Sequence, residues 1–291
     1  MSAGVGRTGR WNGLAFAAPF LILYTVIVVY PLLNGLALSF QRADLFGARE
    51  FSGLQNYTRL FGDAVFRQAL FNTFRYTLII VPVLTVISLA LALALNRPGR
   101  LTAILRGVFF SSSVLSVTIV TLIWRFVLTP DAGLIAEIFR RLGLEPLPFL
   151  SHPDLALPAV AAATIWWSVG LPMMLFLAGL QQIPGDLYEA AALDGAGPWT
   201  TLRRITLPAI RRTVVLVVML QTAAQLQIFG QAQLLTAGGP SGASRPVVLF
   251  IFETAFARWE LGYALAAAQV LFALILVVTL FQYRAGARRE A

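Results

Sequence analysis

Five glutamines fall within thirteen residues, Gln221-Thr222-Ala223-Ala224-Gln225-Leu226-Gln227-Ile228-Phe229-Gly230-Gln231-Ala232-Gln233. A primary amide carries two N–H donors and a carbonyl acceptor without a charge, so a row of them can trade hydrogen bonds with an uncharged polar solute. Amides do not supply a nucleophile, an acid or a base. The rest of the reactive inventory is thin: the 291 residues include no cysteine, one histidine, and 22 basic side chains that are all arginine. A phosphate-binding P-loop and imine chemistry both need a lysine, and thiolate catalysis, disulfides, cysteine zinc sites and iron–sulfur ligation all need cysteine. The lone His152, in Ser151-His152-Pro153-Asp154, has neither a second ligand nor a nucleophile elbow beside it and reads as a solvated loop residue. No catalytic residue, metal site or resident cofactor is expected.

The elements that carry the glutamines are apolar. Hydrophobic residues make up 58% of the chain and charged ones 12%, about half the charge of a soluble domain. Six runs lack any charged side chain: Trp11 to Gln41, Tyr76 to Asn96, Gly107 to Trp124, Leu155 to Gly185, Thr213 to Ser244 and Leu261 to Tyr283. A helix needs about 20 apolar residues to cross the hydrocarbon layer, and unbroken runs without alternation select helices over a barrel. The expectation is an all-α integral membrane protein of one transmembrane domain, with six spans at roughly 14–38, 76–96, 107–128, 156–180, 213–235 and 262–283. The first run lacks a signal-peptide cleavage site and suits a retained anchor.

Arginine placement orients the spans. With both termini cytoplasmic, the inner segments carry Arg7, Arg10, Arg97, Arg100, Arg106, Arg203, Arg204, Arg211, Arg212, Arg284, Arg288 and Arg289 against Asp186, Glu189, Asp194 and Glu290, a net charge of +8. The outer loops then sum to −1, and Arg75 and Arg125 at span ends complete the formal +9. Those two read as side chains snorkelling to the interface beside Tyr76 and Trp124. The basic balance thus reflects cytoplasmic loops rather than nucleic-acid binding.

Between spans 4 and 5, the inner segment 186–208 follows Ile183-Pro184-Gly185. Asp186 can cap a helix whose first turn holds Glu189, Ala190 to Leu193 continue it, and Gly195 can end it in the left-handed conformation. Pro198 suits the first turn of a second helix that carries Arg203 and Arg204, with Pro208 as a stop. Leu187, Tyr188, Ala191, Trp199, Leu202 and Ile205 offer an apolar face. That face can dock in a groove of another subunit or lie on lipid headgroups.

The same stretch resembles the cytoplasmic signature of permease subunits of binding-protein-dependent ABC importers: Glu189-Ala190-Ala191, then Gly195, then Ile205-Thr206-Leu207-Pro208. Its flanks, Ala178-Gly179-Leu180-Gln181-Gln182-Ile183-Pro184 and Leu234-Leu235-Thr236-Ala237-Gly238-Gly239-Pro240, look like the carbohydrate-uptake branch. The Gly-Gly-Pro is similar to the subunit type of maltose and glycerol-3-phosphate systems. Tyr30-Pro31, Leu38-Ser39-Phe40, Gly53-Leu54-Gln55-Asn56-Tyr57 and Asn72-Thr73 agree with that likeness, whereas Leu202 stands where the family often has Phe.

The resemblance implies a type I importer fold in a bacterial or archaeal cytoplasmic membrane. Its implied partners are a homologous second permease, two ATP-binding subunits that hold the ATP and Mg, and an extracytoplasmic solute-binding protein. Glu189, Ala190, Ala191, Asp194, Gly195, Ile205, Leu207 and Pro208 would couple to the ATPase. By the same likeness the solute-facing positions fall on Gln221, Ala224, Gln225 and Ile228, on Trp166 and Gly170, and near Ser113, Ser116 and Val117. On helical geometry Gln221 and Gln225 share one face roughly 12 to 18 Å into the bilayer, and Gln227 and Gln231 pair on nearly the opposite one. One pair could line a path while the other bonds a neighbouring helix. From membrane physics alone the alternative is a stand-alone secondary transporter, although no span carries a carboxylate or histidine for proton coupling.

Overall fold

The computed structural model describes residues 8–287, with side chains over 16–286, so of the charge count Arg7, Arg288, Arg289 and Glu290 lie outside it and the Arg10 side chain is not described. Helices α1 (Thr8–Tyr24) and α2 (Tyr30–Ser39) are joined by a π turn over Thr25–Val29. A two-stranded hairpin, β1 (Gln41–Ala43) and β2 (Arg49–Phe51), leads to α3 (Gln55–Gly62) and the long α4 (Ala64–Leu95). Then come α5 (Arg100–Ser112), α6 (Val117–Leu128), α7 (Leu134–Arg141), α8 (Pro153–Ser168) and α9 (Gly170–Leu180). The inner segment forms α10 (Gly185–Leu193), α11 (Pro198–Thr201), a π turn over Leu202–Thr206 and α12 (Leu207–Ala209). Helices α13 (Arg211–Leu226), α14 (Gly230–Thr236), α15 (Val247–Phe252) and α16 (Leu261–Ala287) complete the order.

Among the described residues, three helices are long and apolar enough to cross a membrane unaided, Phe16–Ser39, Ala64–Leu95 and Leu261–Gly286, and the number rises to six when each bent pair counts as one span. The interruptions have local causes. α5 and α6 meet at a 96° bend. There Ser111 and Ser112 bond back to the carbonyls of Val108 and Phe109, and the Ser116 hydroxyl caps α6 by accepting the Ile119 N–H at 3.4 Å. α8 and α9 bend by 47° at Val169, where Pro172 removes a helical N–H. The glutamine-bearing segment is likewise two pieces: α13 ends at Leu226, Phe229 lies at φ −141° and ψ −65°, and α14 begins at Gly230. Both proline-containing joints use the same device. Tyr30 N–H reaches back five residues to the Thr25 carbonyl just before Pro31, and Leu207 N–H does so to Leu202 just before Pro208. A turn widened in this way accommodates a ring that lacks the next donor. Pro208 therefore does not stop its helix; the chain turns at Ile210, 69° from α13.

By compactness the chain divides into two units, Met1–Gly62 with Ile251–Val270 and Asp63–Phe250 with Leu271–Ala291. In the first, the buried Asn56 amide donates to the Ser39 and Gln41 carbonyls at 2.9 and 2.8 Å, and Arg59 pairs with Glu260 at 2.8 Å. The Asn56 bonds hold α3 against the junction of α2 and the hairpin, and the Arg59–Glu260 pair ties α3 to the residue before α16.

The second unit holds the larger core. Tyr76, Ile80 and Leu84 of α4 pack on Leu157, Val160 and Ala163 of α8 and on Ile228 and Leu235. Ala92 and Leu95 of α4 pack on Met173, Phe176 and Leu180 of α9 and on Ile210 and Val217. The Asn72 amide donates to the carbonyls of Gly242 and Arg245 at 2.8 and 3.0 Å, and Thr73 accepts the Val247 N–H at 2.9 Å. Asn72-Thr73 thereby clamps the loop that carries Gly238-Gly239-Pro240 onto α4. Arg75 and Arg125 are both exposed, as snorkelling residues would be.

Candidate functional site

The three broken spans converge on one cavity of about 400 Å³. Val117 of α6, Trp167 and Ser168 at the end of α8, and residues 224, 225 and 227–231 of the glutamine segment line it. Each break leaves helix-end backbone groups without an intrahelical partner. Such non-helical backbone is tolerated within a membrane where it borders protein or water, which is how discontinuous helices serve solute sites in transporters.

Gln225, 5% exposed, donates from Nε2 to Gln221 Oε1 at 3.2 Å, so the i,i+4 pair expected on one face is present and bonded to itself. Gln225, Ala224 and Ile228 border the cavity, whereas Gln221 stands behind Gln225. The other expected pair does not form. The break at 227–229 removes the helical register that would set Gln227 above Gln231. Gln227 is exposed and donates to the Ala223 carbonyl at 2.9 Å; Gln231 is buried, and both border the cavity.

Of the two adjacent tryptophans, Trp167 lines the cavity. Trp166 lies about 100° around the helix from it, with its ring edge-on to Trp124 at 6.2 Å between centroids. The Trp167 indole N–H donates to the Leu115 carbonyl at 3.0 Å, bracing the α5–α6 corner. Ser113, Ser116 and Gly170 do not reach the cavity and shape its walls instead. Ser113 donates to the Trp167 carbonyl at 3.1 Å and Ser116 caps α6. Gly170 is a close-approach residue, because a Cβ there would collide with the Phe109 carbonyl oxygen and lie 2.7 Å from Phe110 Cα. Trp167, Ser168, Phe229 and Gly230 were missed as lining residues because periodicity presumes unbroken helices. His152 caps α8, its Nδ1 accepting the Asp154 N–H at 3.2 Å.

The inner segment is a second site. Asp186 sits in the first turn of α10 and Pro184 occupies the cap position, so the expected aspartate cap is replaced by a carboxylate on the favoured end of the helix dipole. Asp194 is the C-cap, and Gly195 follows at φ +71°. Ala196 N–H then donates to the Ala191 carbonyl at 2.9 Å and Gly195 N–H to Ala192 at 3.1 Å, the bonds of a left-handed helix stop.

The apolar face divides. Ala191 is buried, Ile205 and Leu202 are half-buried, and Tyr188 meets the Thr206 hydroxyl at 3.2 Å. Leu187, Leu193 and Trp199 project outward, Leu193 at 90% and Trp199 at 72% exposure. Glu189, Ala190, Pro208, Arg203 and Arg204 are exposed and Leu207 is half-buried. A scaffold fixed from within thus presents large apolar side chains, ringed by charge, away from the rest of its unit.

Broken apolar spans around an amide-lined cavity are the architecture of a membrane protein with a polar path between its helices. The chain belongs to the family described as binding-protein-dependent transport system inner membrane component, which matches residues 85–290. It is therefore a multi-pass inner-membrane permease component and not an enzyme. It is 33% identical over 282 residues to the sulfoquinovosyl glycerol transport system permease protein of Agrobacterium fabrum, covering 94% of this chain and 92% of that one. It is 30% identical over 279 residues to the trehalose/maltose transport system permease protein of Thermococcus litoralis, covering 96% and 94%. A solved structure of a bacterial ABC transporter that imports the acidic polysaccharide alginate contains a chain of the same fold, with TM-score 0.86, 23% identity, and 97% and 96% coverage.

Proposed function

We propose that this chain is one of two homologous permeases in an ATP-driven importer of a sugar or related polyol, delivered by an extracytoplasmic binding protein. The observation that carries the solute class is the cavity: Gln225, Gln227 and Gln231 offer neutral amides, and Trp167 an aromatic face, where the three broken spans meet. Hydroxyl-rich rings pair with amides and stack on indoles, whereas no arginine borders the cavity to favour a phosphorylated solute. The names of the relatives, for sulfoquinovosyl glycerol and for trehalose and maltose, support the same class. Family membership favours this reading over a secondary transporter working alone.

Both termini and the 186–208 segment then face the cytoplasm. Glu189 to Gly195, with Ile205, Leu207 and Pro208, seat in a cleft of one of two ATP-binding subunits that hold ATP and Mg, since this chain has no lysine for a P-loop. Nucleotide-driven closure there moves α13 through the Ile210 corner. Uptake of labelled sugars into vesicles containing both permeases tests the reading: accumulation should require the ATP-binding subunits, ATP and the binding protein. Accumulation driven by an ion gradient without those subunits would overturn it.

A further inference from the structure

Helix α7, between the third and fourth spans, divides into three faces. The first is fixed to the ends of two spans. A Cβ on Gly133 would collide with the Thr129 carbonyl oxygen and lie 2.8 Å from that of Val127, so α7 begins against the last turn of α6. Ala136 is buried, and the Phe139 ring meets Phe149 edge-on at 6.3 Å between centroids, just before the His152 cap of α8. The charge-free run of the third span ends at Trp124 and that of the fourth begins at Leu155, so both attachments lie where the chain leaves the hydrocarbon. At about 100° per residue, Glu137, Arg140 and Arg141 share a second face. Glu137 pairs there with Arg141 at 3.0 Å and with Arg140 at 3.8 Å, and Arg140 donates to the Asp131 carbonyl at 2.6 Å, so these charges satisfy one another. The third face is Leu134, Ile138 and the C-cap Leu142, spaced i, i+4, i+8 and exposed by 57%, 48% and 69%. Leu144 and Leu147 are exposed just beyond it.

We propose that α7 lies in the headgroup layer of the outer leaflet, with Leu134, Ile138 and Leu142 inserted among the lipid chains and the Glu137, Arg140 and Arg141 face turned to water. An amphipathic helix seated in this way buries its apolar side about 5–10 Å into the boundary between headgroups and acyl chains. The placement favours lipid over a protein occupant. A soluble partner arriving from the aqueous side meets the charged face, whereas the apolar stripe lies between the charged and the packed faces, at the level of the hydrocarbon edge. Because the charges pair among themselves, apolar burial holds the helix and no particular headgroup is selected. So seated, α7 ties together the outer ends of α6 and α8, whose opposite ends supply Val117, Trp167 and Ser168 to the cavity. The inference uses the proposed orientation only to name the leaflet, and it is independent of the solute.

The chain has no cysteine, so L134C, I138C, L142C and R141C each place one nitrobenzoxadiazole fluorophore on it, and a complex with the unsubstituted chain gives the background from the other subunits. The assembled transporter is held in nanodiscs containing lipid with a nitroxide quencher near the headgroup or near the end of the acyl chain, or is exposed to iodide in the buffer. At a depth of about 5–10 Å, the three stripe labels should lose about twofold more emission to the shallow nitroxide than to the deep one, and little to iodide. The R141C label should lose most to iodide. Solute uptake by each variant checks that the labelled transporter is assembled, and the three stripe positions read the same face independently. Stripe labels quenched mainly by iodide would put α7 in water, and labels shielded from every quencher would put another subunit over it. Lipid quenching that disappears when the binding protein is added would make the stripe that protein's seat. Each of these three results would overturn the proposal.

Discussion

Gly195 isolates the backbone contribution to coupling. It ends α10 at φ +71°, and a Cβ built there meets no atom within 4 Å, so alanine at this position costs conformational energy and creates no clash within the chain. Left-handed backbone costs an L-residue about 1–2 kcal/mol, less for asparagine, whose side chain tolerates that region. If the ATP-binding subunits recognise the formed turn, Gly195→Ala should weaken their association with the permease pair by roughly five- to thirtyfold, and Gly195→Asn by less. Gly195→Pro, with φ held near −65°, should abolish association. The assay is binding of the ATP-binding subunits to permeases in nanodiscs, read beside solute uptake in vesicles. The expected order is glycine, asparagine, alanine. An order in which alanine binds better than asparagine would show that side-chain volume in the partner's cleft governs the position, and an unaffected alanine variant would remove the turn from the coupling argument.

Two further outcomes follow from the cavity. Gln225→Leu removes a lining amide and leaves Gln221 without its buried partner; uptake should fall about two- to tenfold while assembly with the ATP-binding subunits holds, and unchanged uptake would count against solute contact there. Gly170→Val drives a side chain against the Phe109 and Phe110 backbone, which should lower stability by about 1–3 kcal/mol, visible as a lower thermal midpoint of the purified transporter. An unchanged midpoint would refute the close-approach role.

Charge scarcity and run length already marked the apolar segments, and the Glu-Ala-Ala to Ile-x-Leu-Pro spacing already marked the inner helical pair with its glycine turn. Composition reads well where a rule is averaged over twenty residues. It reads poorly where one residue redirects the chain. A serine can sit in a helix or cap one, so Ser116 looked like a lining residue when its hydroxyl is spent on α6. Nothing in Gln227-Ile228-Phe229 forbids a helix by propensity, yet the chain breaks there, with Phe229 at φ −141° and ψ −65°. Once helices are broken, face assignments made from an uninterrupted register fail beyond the break, which is why Gln221 and Gln225 kept their relation and Gln227 and Gln231 lost theirs. The choice between Trp166 and Trp167 turned on a rotation of about 100°, finer than an alignment of apolar runs resolves.

The self-bonded glutamines bear on how such a cavity can both accept and release a solute. Gln225 bonds to Gln221 at a long 3.2 Å and Gln227 to the Ala223 carbonyl at 2.9 Å. A hydroxyl that replaces either partner exchanges one hydrogen bond for another, and such exchanges are worth only about 0.5–1.5 kcal/mol each. A site assembled from these pairs gains little per contact, so occupancy depends on the concentration presented to it and the solute leaves without a large barrier. That behaviour suits the proposed importer, in which a separate binding protein would select the solute and an external motor would set the direction. A cavity with charged groups awaiting a partner would bind more tightly and release more slowly, and the absence of charged side chains from this lining is consistent with passage rather than capture.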